Sequence, residues 1–540
     1  MDQQTLNSKS AVLDSAHLGD INGALGTVKQ DDHAPRKTWG AILRTLLAIM
    51  GPGLIVMVGD NDAGGIATYA QAGQNYGTSL LWVLLLLLPV LIVNQEMVVR
   101  LGLVTGVGHA KLIFERFGKF WGAFSVGDLI VVNFMTLVTE FIGIDLSMKY
   151  FGISTYLSVP LSALLLIAIT ITGSFKRWEA FLYIFVITNF LAIPLAFLSH
   201  PKAGPILHDL FIPGVQGGLN SNVLLLIIAM VGTTVAPWQL FFQQSNVIDK
   251  RLTPRWMKYA RADTIIGAFV VIIGAIALIA ASAFAFNGTD LVGKFNDAGT
   301  AAAGIAQMIG PASGSIFAII LLNASLIGAA AVTLASSYAF GDVFGVKHSL
   351  HRKWKDAKGF YLSFILSIVL AAGIVMIPNA PLGIITSAVQ ALAGIVLPSA
   401  IVFLLLLCND KAVLGPWVNK PWLNVVGAII VGVLVVLSLI LASTTLFPDL
   451  NVSLLTMVLF GILIAALAII GISQLLRRGK AAAQPVEKLD PDTWRMAPLS
   501  ELPKPVSSKV RKIGMVTLRV YLLIAIILLI VKAVQLALGQ

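Results

Sequence analysis

The chain has 540 residues, 57% hydrophobic and only 12% charged, with a mean hydropathy of +0.89 and a formal net charge of +11. That balance excludes an ordinary soluble globule and points to an all-α polytopic membrane protein. One cysteine, Cys408, excludes a disulfide framework and a thiol cluster for a metal.

Residues 1–40 are polar and lack apolar periodicity or a signal-peptide core, so they are expected to form a disordered cytoplasmic tail. Apolar spans then fall near 51–76, 79–103, 122–148, 155–173, 179–199, 221–246, 263–286, 314–343, 359–378, 384–408, 422–444, 451–475 and 513–538. Basic residues cluster in alternate connections. Arg36, Lys37 and Arg44 precede the first span, Arg100, Lys111, Arg116 and Lys119 follow the second, and Lys250, Arg251, Arg255, Lys258 and Arg261 follow the sixth. The intervening connections hold little beyond Lys149, Lys202 and Lys294. The positive-inside rule then places the N-terminus in the cytoplasm of a multi-pass cell-membrane protein. It also accounts for the net charge, leaving no reason to expect a nucleic acid partner.

This reading divides the chain into a core of ten transmembrane helices over 41–410 and peripheral helices over 411–476. A Pro-containing cytoplasmic linker over 477–512 leads to a last helix over 513–540.

The first span is interrupted. Gly51-Pro52-Gly53 opens it, and Gly59-Asp60-Asn61-Asp62-Ala63-Gly64-Gly65 falls in its middle. A carboxylate near the bilayer centre costs about 3 kcal/mol on insertion scales, so it faces a partner or a water-filled pathway. The glycines weaken the helix at the same point, and broken backbone at that depth marks a transporter's binding site. Asp60 is two residues from Asp62, a spacing that faces one cavity only if the backbone is unwound. The sixth span carries a second interruption, Thr233-Thr234-Val235-Ala236-Pro237-Trp238-Gln239. Pro237 has no amide hydrogen, which frees a carbonyl near Thr233 to coordinate a cation. Asn61 and Gln239 are expected as outer donors holding retained water. Breaks in the first and sixth spans imply five-helix halves related as an inverted repeat, with the site between them.

These motifs resemble the natural resistance-associated macrophage protein family of divalent-metal transporters. Asp62-Ala63-Gly64-Gly65-Ile66-Ala67-Thr68 falls on the family's D-P-G-N-x-A-T, Ala236-Pro237-Trp238 on its M-P-H, and Gln390 with Leu397-Pro398 on its Q…LP pattern. The resemblance covers roughly residues 45–410. It implies a LeuT-type 5+5 fold and a metal site at Asp62 and the Thr233 carbonyl, to which the unwound-break reading adds Asp60 and the Q…LP match adds Gln390 as supporting residues. The departures are informative. The family's Asn position is Gly65 and its Met position is Ala236, so the amide and the thioether are both missing. A thioether suits soft transition metals, whereas an all-oxygen site suits Mg²⁺, Ca²⁺ and Mn²⁺. Mg²⁺ keeps several waters beside one or two carboxylates. Such a pocket resembles the magnesium-transporting branch of the family.

Of the family's proton-relay positions, one His is Trp238, another is Gln243 and an Asp is Leu137. Glu140 alone remains, as a residual pathway acid. The expectation is therefore import of Mg²⁺, and of Mn²⁺ second, uncoupled from protons. It would be driven by the membrane potential, worth about 4.6 kcal/mol per 100 mV for two charges. No cofactor and no enzymatic activity are expected, and the partners are the divalent ion and the lipid bilayer around a monomer. The alternatives are a proton-coupled Mn²⁺ transporter of the same family, a cation-coupled amino-acid transporter of the same fold, and a channel-like pore. Gly288-Thr289-Asp290-Leu291-Val292-Gly293-Lys294-Phe295 approaches a phosphate-binding loop but lacks its Ser/Thr.

Overall fold

The computed structural model describes residues 15–32, 34–378, 381–447, 450–478, 490–491 and 494–503, with isolated residues 516, 519, 520 and 523. Among them are ten helices long and apolar enough to cross a membrane, or eleven when one bent pair counts as a single span. That pair is α1 (Trp39–Ile49) and α2 (Pro52–Val58), bent by 57° at Gly51. Gly51 has φ 151°, a conformation open to glycine but strained for other residues, and Pro52 follows it as the first helical residue.

The first span resumes as α3 (Ala63–Tyr76) after four unwound residues. Then come α4 (Leu81–Thr105), the short α5 (His109–Phe117), the long α6 (Lys119–Tyr150) and α7 (Thr155–Thr170). A kinked span made of α8 (Phe175–Asn189) and α9 (Ala192–Leu198) is followed by the exposed α10 (Ala203–Phe211). The sixth span is α11 (Ser221–Thr234) and α12 (Pro237–Asp249). Beyond it lie α13 (Met257–Phe286), the surface helix α14 (Ala298–Met308), α15 (Pro311–Phe344), α16 (Lys358–Val375) and α17 (Leu382–Cys408). After the one-turn α18 (Lys411–Leu414), α19 (Pro421–Leu446) packs on α17 and α20 (Val452–Arg478) on α19. The thirteenth span expected at 513–538 lies outside the described residues, save for isolated positions.

Buried apolar residues from both halves form one large core in which α6 lies along α15, α3 along α13 and α11 along α17. The α11–α17 crossing is close enough that a β-carbon on Gly232 would strike the Gln390 carbonyl and the Gly394 amide. This contact brings the second break against the helix that carries Gln390.

One expectation is corrected. The N-terminal segment is ordered from residue 15, not disordered through residue 40. A 3-10 turn over Ser15–His17 leads to an antiparallel hairpin of β1 (Ile21–Gly23) and β2 (Gly26–Val28), paired Ile21 to Val28. Both residues of that pair are buried. Long-range contacts supply what two three-residue strands lack. The Ala24 amide donates to Glu179 at 2.6 Å, and Arg251 donates to the carbonyls of Ala16 and Asp20 at 3.0 and 3.2 Å.

Of the expected 477–512 linker, residues 494–503 lie against the ends of α4 and α5. The Met496 amide reaches the Val104 carbonyl at 3.4 Å, Arg495 the Leu103 carbonyl at 2.8 Å, and Arg116 the Pro503 carbonyl at 2.7 Å.

Candidate metal-ion site

The first break follows from local chemistry. Helix α2 ends at Val58, and Gly59, Asp60 and Asn61 close with short turns, Asp60 to Met57 at 3.1 Å and Asn61 to Val58 at 3.2 Å. Asp62 then caps α3, its Oδ1 accepting from the Gly65 amide at 2.7 Å. A carboxylate at a helix N-terminus satisfies an unpaired amide and complements the helix dipole. In the sixth span α11 stops at Thr234 and α12 restarts at Pro237. Thr233 would normally receive the amide hydrogen of residue 237, and proline has none.

The two breaks meet. The Thr233 hydroxyl donates to Asp62 Oδ1 at 3.4 Å. A β-carbon built on Gly65 would lie 2.8 Å from the Asp60 carbonyl, 3.0 Å from Thr233 Oγ1 and 3.5 Å from Asp62 Oδ1. Three oxygens from both interrupted spans therefore surround the space that a side chain at residue 65 would fill. Asp60, Asp62 and Thr233 are all buried, and both Asp60 carboxylate oxygens lack a hydrogen-bond partner. Gln390 also reaches the break, its amide group packed against the Gly64 backbone with Nε2 unpartnered.

Other candidates are distributed around this niche. Ala236 is the buried residue that leads into α12. The buried ring of Trp238 stands 3.2 Å from a β-carbon built on Gly59 and packs on Phe242, so it fills the space below the first break. Asn61 turns away, its Nδ2 donating to the Val271 carbonyl on α13 at 3.3 Å. Gln239 is engaged by protein: its Oε1 accepts from Gln95 at 2.8 Å and its Nε2 reaches the Thr234 carbonyl at 3.4 Å.

Glu140 stands against the first break. Its Oε2 accepts from the Ala63 amide at 3.1 Å, and its Oε1 has no partner. A β-carbon on Gly328 would approach Glu140 Oε2 at 2.6 Å and Asp62 Cβ at 3.0 Å, so the two acids flank the same glycine. Asp145 pairs with Lys149 at 2.8 Å, farther along α6.

Among the described residues no group of three or more His, Cys, Asp or Glu is arranged to hold a metal ion. A cation between the breaks must therefore draw on carbonyl, hydroxyl or water oxygens beside its carboxylates. A cleft lined by Ala63, Thr139, Leu146, Phe295, Asp297 and Thr386 runs from the start of α14 to the first turn of α3, at the end of the protein opposite the hairpin.

Tyr69, Thr234 and Gln95 belong to the site's surroundings, and the sequence reading passed over them. Tyr69 lies seven residues after Asp62, two helical turns along one face, which is the signal that points to it.

Comparison with known proteins places this architecture. The profile of the Natural resistance-associated macrophage protein-like family matches residues 53–444. A divalent metal cation transporter MntH from Levilactobacillus brevis is 27% identical over 394 residues, covering 70% of this chain and 84% of the relative. MntH from Ralstonia nicotianae is 28% identical over 398 residues, covering 70% and 86%. MntH from Mesorhizobium japonicum is 30% identical over 266 residues, but that match spans 46% of this chain and only 57% of the relative. The crystal structure of an Eremococcus coleocola manganese transporter, in complex with an aromatic bis-isothiourea substituted compound, superposes with a TM-score of 0.63 at 21% identity. It covers 85% of this chain and 99% of its own. The fold is of the LeuT type, with broken first and sixth spans in a multi-pass membrane protein. From the profile match over most of its core, the chain belongs to the natural resistance-associated macrophage protein-like family.

Proposed function

We propose that the protein imports hard divalent cations, Mg²⁺ first and Mn²⁺ second, in partly hydrated form, through a site between the two breaks. The observation that carries this reading is the niche at Gly65, bordered by the Asp60 carbonyl, Thr233 Oγ1 and Asp62 Oδ1 with no sulfur ligand at Ala236. Oxygen donors suit hard ions. The space left by an absent side chain suits Mg²⁺, which gives up its waters reluctantly. Asp62 supplies the essential anionic ligand, the Thr233 carbonyl and Asp60 contribute further oxygens, and Gln390 supports the ion or one of its waters. The curated relatives are named as divalent metal cation transporters, which agrees with the cargo class.

In this reading the hairpin face is cytoplasmic, the protein acts as a monomer, and the membrane potential drives entry. Trp238, Gln243 and Leu137 do not titrate near neutrality, which favours transport without proton coupling. One observation favours the second reading, a proton-coupled Mn²⁺ transporter: Glu140 lies beside Asp62, where an acid can exchange a proton for a cation. Proteoliposomes holding a pH-sensitive dye separate the two. Uptake of Mg²⁺ with no change in internal pH supports uncoupled transport, and acidification in proportion to uptake overturns it. Isothermal titration of the detergent-solubilised protein with Mg²⁺, Mn²⁺, Ca²⁺ and Cd²⁺ tests the cargo. Heat released only by a soft metal such as Cd²⁺ would refute the hard-ion assignment.

A further inference from the structure

The second break is held by a set of polar contacts that the metal ligands alone do not require. Tyr69 Oη and Thr234 Oγ1 are 2.7 Å apart and buried, and Thr234 Oγ1 also lies 2.7 Å from the Met230 carbonyl. A threonine hydroxyl has one hydrogen, and Met230 takes it. Tyr69 must therefore be the donor to Thr234. On the other side of the same residue, Gln239 Nε2 approaches the Thr234 carbonyl at 3.4 Å. Gln239 is oriented in turn by Gln95 Nε2, which donates to its Oε1 at 2.8 Å. One arm comes from α3 and the other from α12, the latter oriented by α4, so the first half of the chain holds the last residue of α11 directly through Tyr69 and indirectly through Gln95.

The grip discriminates between two neighbouring carbonyls. Thr234 has its hydroxyl and its carbonyl both engaged. Thr233 has its hydroxyl on Asp62, while the residue four positions on, whose amide would serve its carbonyl in a continuous helix, is Pro237, which has no hydrogen to give. The contacts therefore engage the Thr234 carbonyl and leave the Thr233 carbonyl without its i+4 amide donor. They also fix its distance from α3, because Tyr69 and Asp62 lie on one face of the first span.

We propose that Tyr69, Thr234 and the Gln95–Gln239 pair are positioning residues that set the size of the cation site, by holding the end of α11 against α3 so that Thr233 rather than Thr234 presents its carbonyl to the ion. This inference rests on the divalent-cation reading given above. None of these four residues touches the ion; they act through Thr233.

The test uses the full chain, solubilised in detergent and reconstituted in vesicles, with magnesium and calcium chlorides as probes. Tyr69→Phe and Thr234→Val each remove one hydroxyl with little change in shape. Each is expected to raise the Mg²⁺ Kd and the KM for uptake about tenfold, the scale of one lost hydrogen bond, with Vmax within about twofold of wild type. The preference for Mg²⁺ over Ca²⁺ should narrow in both, because a looser site admits the larger ion. The double variant should be no worse than either single variant, since both break the same contact. Thr234→Ser restores the hydroxyl and is expected to bind like wild type, which separates positioning from a folding defect.

Asp62→Ala, measured alongside, tests the site itself. If Asp62→Ala loses Mg²⁺ binding while Tyr69→Phe and Thr234→Val keep wild-type Kd and ion preference, the positioning proposal is overturned and the site stands. If Thr234→Ser is as impaired as Thr234→Val, the hydroxyl is irrelevant and the proposal is likewise overturned. If Asp62→Ala binds Mg²⁺ normally, the site reading fails and the proposal fails with it.

Discussion

Replacing Asp62 by Asn isolates the charge of the central carboxylate from its structural duty. Asn caps helices about as well as Asp, so the Gly65 amide keeps its acceptor and α3 its start. Relieving the repulsion between Asp62 and the neighbouring Glu140 should leave thermal stability unchanged or slightly raised. Cation binding should behave differently. A divalent ion about 4 Å from a single negative charge gains about 8 kcal/mol at an effective dielectric of about 20, twice the figure for two unit charges. If desolvation of ion and carboxylate offsets half of that, about 4 kcal/mol is lost with the charge, on the order of a thousandfold in Kd. Titration calorimetry with MgCl₂, paired with a thermal unfolding scan of the same sample, reads both halves. A folded Asp62→Asn protein that binds Mg²⁺ within threefold of wild type would refute the assignment of Asp62 as the anionic ligand.

Gly65→Asn puts back the amide expected of the family, yet its β-carbon would meet the Asp60 carbonyl at 2.8 Å and Thr233 Oγ1 at 3.0 Å. Mg²⁺ uptake should fall at least tenfold in vesicle assays, and normal uptake would mean that the niche is not the site. Ala236→Met introduces a soft thioether and should raise the Mn²⁺:Mg²⁺ uptake ratio; an unchanged ratio would show that site size outweighs ligand softness. Away from the site, Lys250 and Glu179 form a fully buried ion pair at 2.6 Å. Glu179→Ala strands the lysine and should cost about 3–5 kcal/mol of stability, whereas Glu179→Leu with Lys250→Met should recover most of it. Unfolding scans that rank the double variant below the single one would contradict this.

The sequence revealed the breaks because they violate the rules of their surroundings. Two aspartates and a run of glycines have no place in an apolar span unless they serve a purpose, and a proline five spans later names the carbonyl it frees. Asp62 and Thr233 could be read on those terms, whereas Gln390 came only from its match to the family's Q…LP pattern. Tyr69, Thr234 and Gln95 could not, because neutral hydrogen-bonding side chains on membrane helices are as common in packing as in function, and only their mutual distances separate the two. Glu140 shows a related limit. Its position on α6 was evident, but helical periodicity says which face a residue occupies and not which neighbour it meets; here that neighbour is the Ala63 amide. The hairpin at 21–28 was invisible for another reason. Strands of three residues carry almost no local signal, and the contact that anchors Ala24 comes from Glu179, 155 residues away.

The amides at the start of α3 bear on the half of the cycle in which nothing is carried. Gly65 donates to Asp62 and Ala63 to Glu140, so these two acids, unlike Asp60, have a fixed partner even without cargo. An emptied carrier that left bare charge in the bilayer interior would face an electrostatic barrier to resetting. Here the positive end of a helix stays with the acids as a permanent counterweight. On the proposed reading, an ion at the break would compete with the protein's own backbone for these oxygens, a hold weak enough for release on the far side.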